Sequence, residues 1–549
     1  MGNKREITYY DVSPYAALSA QGAADTAKVQ EFSEIQKLFA ENMAYRSIQT
    51  CEHNYTILDG SHREFEKDEN IALWSKQQSL ADTRLLPGGV TLTVTFGGLQ
   101  SSQGVAFCFD PQNHGWCDML RVKWHKDAAL LSDEIFYPDS AVYSCNRKVE
   151  LYNKVTVEFM RMNMPGRYLK IEAALFGIVR IFGDGELENV TVNEGLDPTG
   201  RTLYINSAHF TINTKDPAPY IFLKRQPLHI TYNGMRVGSY YIDRSKKHAD
   251  RRYSVEAVDK IGVLDATDEF MGGMYNNITA ETLINQIVGG LFDAEIDESV
   301  RNVWVSGWLP IMRRREALAQ VALATGAVID ATRENAIAVR PAPAAGDVQH
   351  IIGKDRAYRS GSVDIEFPCT GVELTEHNFA PGKAASEKEL FKDTFAGEKT
   401  VRFSEPASNI TVTGGTIVTS DANYAVIRSA GAAECVLSGR PYVDSQSTVS
   451  VKKDLAGEPE GTIERIEKIE NGWLVNKHNS QAVARRLYEH YLRGSVFDGD
   501  FLTGGVEKIG DTVKIATAFD DGSVTGQIEK LTLQLGYKNI RAKGVIRGD

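Results

Sequence analysis

The sequence predicts a mainly β, multidomain protein carrying a few packed helices, and three observations support that class. Short alternating apolar and polar runs, such as Val90-Thr-Leu-Thr-Val-Thr-Phe96, recur between Gly, Pro and Asp; this alternation puts successive side chains on opposite faces of a strand. Asn233-Gly234 separates Leu228–Tyr232 from Met235–Asp243, and this dipeptide suits a type I′ hairpin because both central residues take positive φ. At 549 residues the chain is too long for one hydrophobic core, so several domains are expected.

Composition narrows the class further. The 42% hydrophobic and 24% charged fractions are those of a globular protein and set aside disordered and fibrous chains. No run approaches eighteen apolar residues, so no membrane span is expected. The start, Met1-Gly-Asn-Lys-Arg-Glu6, leads into no apolar segment, so the expectation is folding in a cytoplasm without a signal peptide. A net charge of −11 disfavours a tight grip on nucleic acid, which needs a basic face. The six cysteines (Cys51, Cys108, Cys117, Cys145, Cys369 and Cys435) form no C-x-x-C pair and read as small buried apolar groups.

Along the chain, residues 1–49 read as an N-terminal strand and helix docking segment, the alternative for the helix being that it packs on its own domain. Ile7 and Tyr9 suggest the strand. Val29, Phe32, Ile35, Leu38, Phe39 and Met43 recur at spacings of three and four, which predicts a helix from Asp25 to Tyr45. Residues 50–185 carry evenly spaced short strands and read as a jelly-roll-like β-sandwich, with Trp124 on the core face beside Leu120 and Val122, and Trp116 at a loop end. Residues 186–345 begin with the Asn233-Gly234 hairpin and a third strand, Arg252–Val258. Helices at Thr279–Gly289 and Arg313–Thr325 follow, the second stopped by Gly326. Val328–Asp330 and Ile337–Val339 then form another hairpin, and Pro341–Gly346 reads as a linker. Residues 346–549 read as a second β domain with one helix, Asn479–Arg493.

Motifs for catalysis are missing: there is no H-E-x-x-H, P-loop, G-x-S-x-G or calcium loop in the sequence. His114 and Cys117 lack the second ligand pair that a zinc site needs. No catalytic, cofactor-binding or metal residue is therefore expected, and no cofactor. Asp110, Asn113, His114, Trp116 and Arg121, with Trp74 on another loop, combine aromatic faces with directional polar groups, as sugar sites do; they are candidate glycan-binding residues, the alternative being ordinary loop and surface residues. Arg313, Arg314 and Arg315 stand at a helix start, where positive charge opposes the macrodipole. They are candidate partner contacts, the alternative being a solvated helix start.

The run Tyr240-Tyr-Ile-Asp-Arg-Ser-Lys-Lys-His-Ala-Asp-Arg-Arg-Tyr-Ser-Val-Glu-Ala-Val-Asp-Lys-Ile-Gly-Val-Leu-Asp265 resembles the tail-hub proteins of phages and prophages from Gram-positive bacteria. Trp308 to Ala322, followed by Gly326-Ala-Val-Ile-Asp-Ala331, is similar to the helix and hairpin that come next in those proteins. Thr50-Cys-Glu-His-Asn-Tyr-Thr-Ile-Leu-Asp-Gly-Ser61 resembles the entry to a carbohydrate-binding-like sandwich that some of them carry. The resemblance touches most of residues 50–340, and the C-terminal part matches only in general character.

That resemblance implies a homotrimer with two β-barrel-like hub domains per chain, building a pseudo-sixfold ring between tail tube and tip. The implied partners are tail tube, distal tail, tape measure and tip proteins, with cell-surface glycan as a further candidate, and the implied place is the virion tail. DNA would only pass through, and a lumen rich in carboxylates would repel it. Two other readings stand beside this one: a glycan-binding tip adhesin and a tail-associated cell-wall hydrolase.

Overall fold

In the computed structural model the described residues are 5–12, 14–39, 48–50, 52, 64, 71–110, 115–214, 222, 224–343, 347–366, 369–454, 464–517 and 522–548. Asn233 and Gly234 take φ of 51° and 78°, and the strands Pro227–Tyr232 and Met235–Ala249 pair antiparallel around them. This hairpin lies inside a thirteen-stranded sheet that organises the fold. The sheet runs through Gly177–Phe182, Arg5–Val12, the hairpin, Arg252–Val258, Ser207–Asn213 and Leu187–Gly195. It continues through Ser523–Leu535, Ile540–Gly548, Ser495–Thr503 and Ser362–Ile365, with Thr512–Ala516 and His350–Ile352 branching from Ser523–Leu535. The seam between its halves pairs Thr191 with Gln534 and Glu194 with Leu531. One apolar core serves both halves: Ile7, Val192, Ile230 and Tyr240 belong to the same cluster as Phe497, Ile515, Leu533 and Ile546.

This topology corrects the reading of residues 1–49 as a separate docking segment. Arg5–Val12 is an interior strand, paired on one side with Gly177–Phe182 and on the other with Pro227–Tyr232. Its apolar side chains, Ile7 and Tyr9, are buried. The unit spanning residues 14–176 is thus inserted between two neighbouring strands of the main sheet.

The predicted helix from Asp25 to Tyr45 is a second correction. Over residues 25–39 the chain forms turns, two bridges and a 3₁₀ turn at Ile35–Phe39, while residues 40–47 lie outside the described residues. The backbone there makes local turn bonds and also bonds to a neighbouring strand: Gln30 N donates to Trp74 O at 2.8 Å and Lys76 N donates to Lys28 O at 2.8 Å. The apolar spacing is met by packing on that strand, where Phe32 meets Trp74 edge to face.

Within the inserted unit, Leu85–Cys108, Val142–Met162, Cys117–Lys126, Ala129–Phe136, Ala20–Ala24 and Ala173–Leu175 form a six-stranded sheet. Leu92, Val94, Trp124 and Val157 are buried on one face, while the alternating Thr91 and Thr95 are exposed, the pattern of an antiparallel sheet with one wet side. Leu73, Leu169 and Ile171, from the short Leu73–Gln78 and Tyr168–Ile171 pair, complete the same core.

The two predicted helices of the middle region form at Ala280–Val288 and Arg314–Thr325, each ended by a left-handed glycine, Gly289 and Gly326. They pack through Leu283, Ile287, Leu318 and Val321. Ala327–Asp330 and Ile337–Pro341 pair antiparallel as expected. The predicted linker begins with the last residue of that strand, Pro341, and residues 344–346 lie outside the described residues.

Residues 369–491 form a second insertion, between the sheet strands Ser362–Ile365 and Ser495–Thr503. Its helix, Ser480–Tyr491, places Val483 and Leu487 against Val372 and Leu374. A long strand, Tyr424–Asp444, pairs antiparallel with Lys388–Arg402, Ala407–Thr413 and Thr416–Asp421. The stretch 346–549 is therefore not one contiguous β domain: its two ends supply strands to the main sheet. Cys108, Cys117, Cys145, Cys369 and Cys435 are buried, and Cys51 lies outside the described residues. Among the described residues no helix is long and apolar enough to cross a membrane.

Candidate functional sites

The candidate sugar residues of the inserted unit occupy three environments. Trp74 is buried, stacked on Tyr168 at 6.3 Å between ring centroids, with Lys170 Nζ 5.1 Å from its ring. That ammonium bonds to Glu52 and stands 3.8 Å from Asp110 Oδ2. Asp110 is only 1% exposed. Burial lowers the Lys170 pKa against the pull of Glu52, and burial, reinforced by Asp110, pushes the Glu172 carboxyl up to about 9. Trp74 and Asp110 thus meet in an enclosed charged cluster that holds the unit together, not on an open platform.

Trp116 is half-buried, and its Nε1 donates to Pro138 O at 3.2 Å. Arg121 forms a forked pair with Asp133, both bonds 2.6 Å, along neighbouring strands; the guanidinium holds the Asp133 carboxyl below its usual range. Asn113 and His114 lie outside the described residues. The polar, turn-rich sequence around Trp74 and Asp110 suggests exposure, but neighbours in sequence do not report which residues fold over them.

Arg313, Arg314 and Arg315 all bond within the chain. Arg313 Nη1 reaches Asp265 Oδ2 at 3.2 Å, and Arg315 Nε reaches Asp265 Oδ1 at 3.0 Å. Arg315 Nη1 also donates to Leu203 O at 3.1 Å. Arg314 donates to Asp268 O at 3.2 Å and to Ile287 O, a carbonyl in the last turn of the Ala280–Val288 helix. A cation that is unfavourable at the start of its own helix is favourable at the end of another, which accounts for the placement.

Sequence reasoning did not anticipate a cleft of about 630 Å³ between the Gly273–Thr279 and Trp304–Leu309 ribbon and the second insertion. Asn276, Asn277, Asn378, Gln446 and Asn476 line it, together with Tyr442. Its walls are tied together. Asn476 Nδ2 donates to Ser306 O at 2.9 Å, and Trp308 Nε1 donates to Asn423 Oδ1 at 2.7 Å. Asn423 Nδ2 in turn donates to Met271 O and Leu309 O, at 2.8 and 2.7 Å. At Gly307 a side chain would meet Trp473 O at 2.3 Å, so glycine permits that close approach. The Asn276-Asn277 pair is the one local feature that could have drawn attention here, and its partners lie a hundred residues or more further along the chain. Among the described residues no group of three or more His, Cys, Asp or Glu side chains is placed to hold a metal.

No family model matches this chain, and no curated protein matches it in sequence. Solved structures do. The chain is similar to the tail protein from Neisseria meningitidis MC58 at 10% identity and a TM-score of 0.42, over 66% of this chain and 93% of that one. It is similar to the prophage MuSo2 tail protein from Shewanella oneidensis at 8% identity and a TM-score of 0.39, over 67% and 95%. The prophage tail protein gp18 from Listeria monocytogenes EGD-e gives 10% identity and a TM-score of 0.39, over 67% and 90%. All three are described as tail proteins.

Proposed function

We propose that this chain is a structural hub of the tail tip or baseplate of a phage or phage-tail-like particle, acting as a homotrimer that joins the tail tube to the tip. The observation that carries this reading is the main sheet. One chain contributes two groups of strands, joined edge to edge at Leu187–Gly195 and Ser523–Leu535. Three copies would supply six such groups, which suits a junction between sixfold and threefold symmetry. The motif Tyr240–Asp265, which resembles tail hubs, contributes to central strands of that sheet.

In this reading the tail tube, distal tail, tape measure and tip proteins are the partners, and DNA passes by without being gripped, in keeping with the net charge of −11. The role is mechanical. Light scattering on the purified full chain should give a mass three times that of the 60.7 kDa chain, and gold-labelled antibody should mark the distal tip of opened tail particles. A monomer in solution together with unlabelled tips would overturn the proposal.

A further inference from the structure

We infer that the cleft between the Gly273–Thr279 ribbon and the second insertion binds a neutral oligosaccharide. Its volume of about 630 Å³ falls within the range of small-ligand sites. Five amide side chains stand on its lining, and an amide offers both donors and an acceptor, as a sugar hydroxyl does. Asn276 and Asn378 are exposed, and their side-chain amides have no hydrogen-bond partner among the described residues. A register shift between Tyr275 and Ile278, with Asn277 at φ 52°, takes this part of the strand out of the ladder at the mouth of the cleft. Half-buried Tyr442 supplies an aromatic surface for sugar C–H groups.

Charge selects among ligand classes. Among the described residues that line it, Lys477 is the lone lysine or arginine, too little for a nucleic-acid or polyanionic chain. Among the same described residues Glu376 is the lone carboxylate. It already accepts from the hydroxyls of Ser447 and Ser480, which hold it ionised and below its usual range. His377 is held between Asp444 Oδ2 at 2.8 Å and Glu470 O at 2.9 Å. Glycoside hydrolysis usually needs two facing carboxyl groups, and this lining offers one that is already engaged. The cleft therefore binds and does not cleave. The bonds that tie its walls mean that little ordering is needed when ligand enters. This inference is independent of the assembly reading, since it concerns one chain.

The test is a glycan array of neutral and anionic oligosaccharides probed with the labelled full chain, followed by calorimetric titration of the best neutral ligand. Binding to one or more neutral oligosaccharides is expected, weakened at least tenfold in the Asn276→Ala/Asn378→Ala variant, whose unchanged melting curve shows that it folds. Absence of binding, binding to anionic glycans alone, or full binding by that variant would each overturn the inference.

Discussion

Arg333 grips Glu194 through two parallel bonds, Nε to Oε1 and Nη2 to Oε2, each 2.8 Å, with the side chains 6% and 0% exposed. Its Nη1 also donates to Gly505 O at 3.0 Å. Glu194 lies on the seam of the main sheet, Arg333 in the turn after Ala327–Asp330, and Gly505 in the bend after the strand Ser495–Thr503 of the other half, so the pair joins three regions distant in sequence. Burial raises the Glu194 pKa and Arg333 opposes that rise. Arg333→Met strands a buried carboxylate, and the expected loss is about 3–5 kcal/mol, read as a lower urea midpoint. Glu194→Met/Arg333→Met should recover most of it. A single variant as stable as the parent would show that the pair does not hold the seam.

Asp259 caps the Lys260–Asp265 helix, accepting from Gly262 N at 2.9 Å and from Asn206 N at 3.2 Å. Burial pushes its carboxyl up to about 7, outweighing those bonds. The folded protein therefore binds this proton more tightly than the unfolded chain, whose Asp titrates near about 3.9. The resulting stabilisation is complete below about pH 4 and is lost as pH rises through about 7. Urea melts across this window should show the parent losing stability relative to Asp259→Asn as pH rises. A constant difference between the two would refute the shift.

Trp74 is a packing residue, set between Phe32, Tyr168 and Lys170. Trp74→Ala should cost about 3–5 kcal/mol, as for other buried aromatics, and should lower the melting temperature of the inserted unit. Half-buried Trp116→Ala should cost less. Equal melting temperatures for Trp74→Ala and the parent would return Trp74 to the list of surface ligands.

Gly234 and Gly326 both have φ of 78°, so alanine at either should cost about 1–2 kcal/mol in left-handed strain. The surroundings separate them. At Gly234 the added methyl meets open space, whereas at Gly326 it would lie 2.3 Å from Arg486 Nη1. The Arg486 guanidinium donates to Leu323 O at 2.8 Å and Thr199 O at 3.2 Å, so moving it disturbs two further bonds. Gly326→Ala should melt below Gly234→Ala, and the reverse order would contradict this account.

What was legible in the sequence was local. Asn233-Gly234, Gly326 and the alternation of Val90–Phe96 each fix φ or side-chain direction within a few residues, and each element formed where expected. Residues 25–39 misled because spacings of three and four suit either a helix or a chain laid on a neighbouring strand. The backbone bonds from Gln30 N to Trp74 O and from Lys76 N to Lys28 O decided between them. Arg313, Arg314 and Arg315 were visible as a charged tract, but their acceptors at Asp265, Asp268 and Ile287 were not.

By itself, then, the sequence determined the class of protein and most of its strands, turns and helix ends, because those depend on period and on backbone preferences of single residues. Tertiary structure alone decided that Arg5–Val12 pairs with strands about 170 and 220 residues away, that two units are inserted into one sheet, and that Asn276 and Asn378 face one cleft. Strand pairing and cleft formation depend on which distant surfaces bury each other, and that free energy belongs to the contact between segments, not to either segment alone.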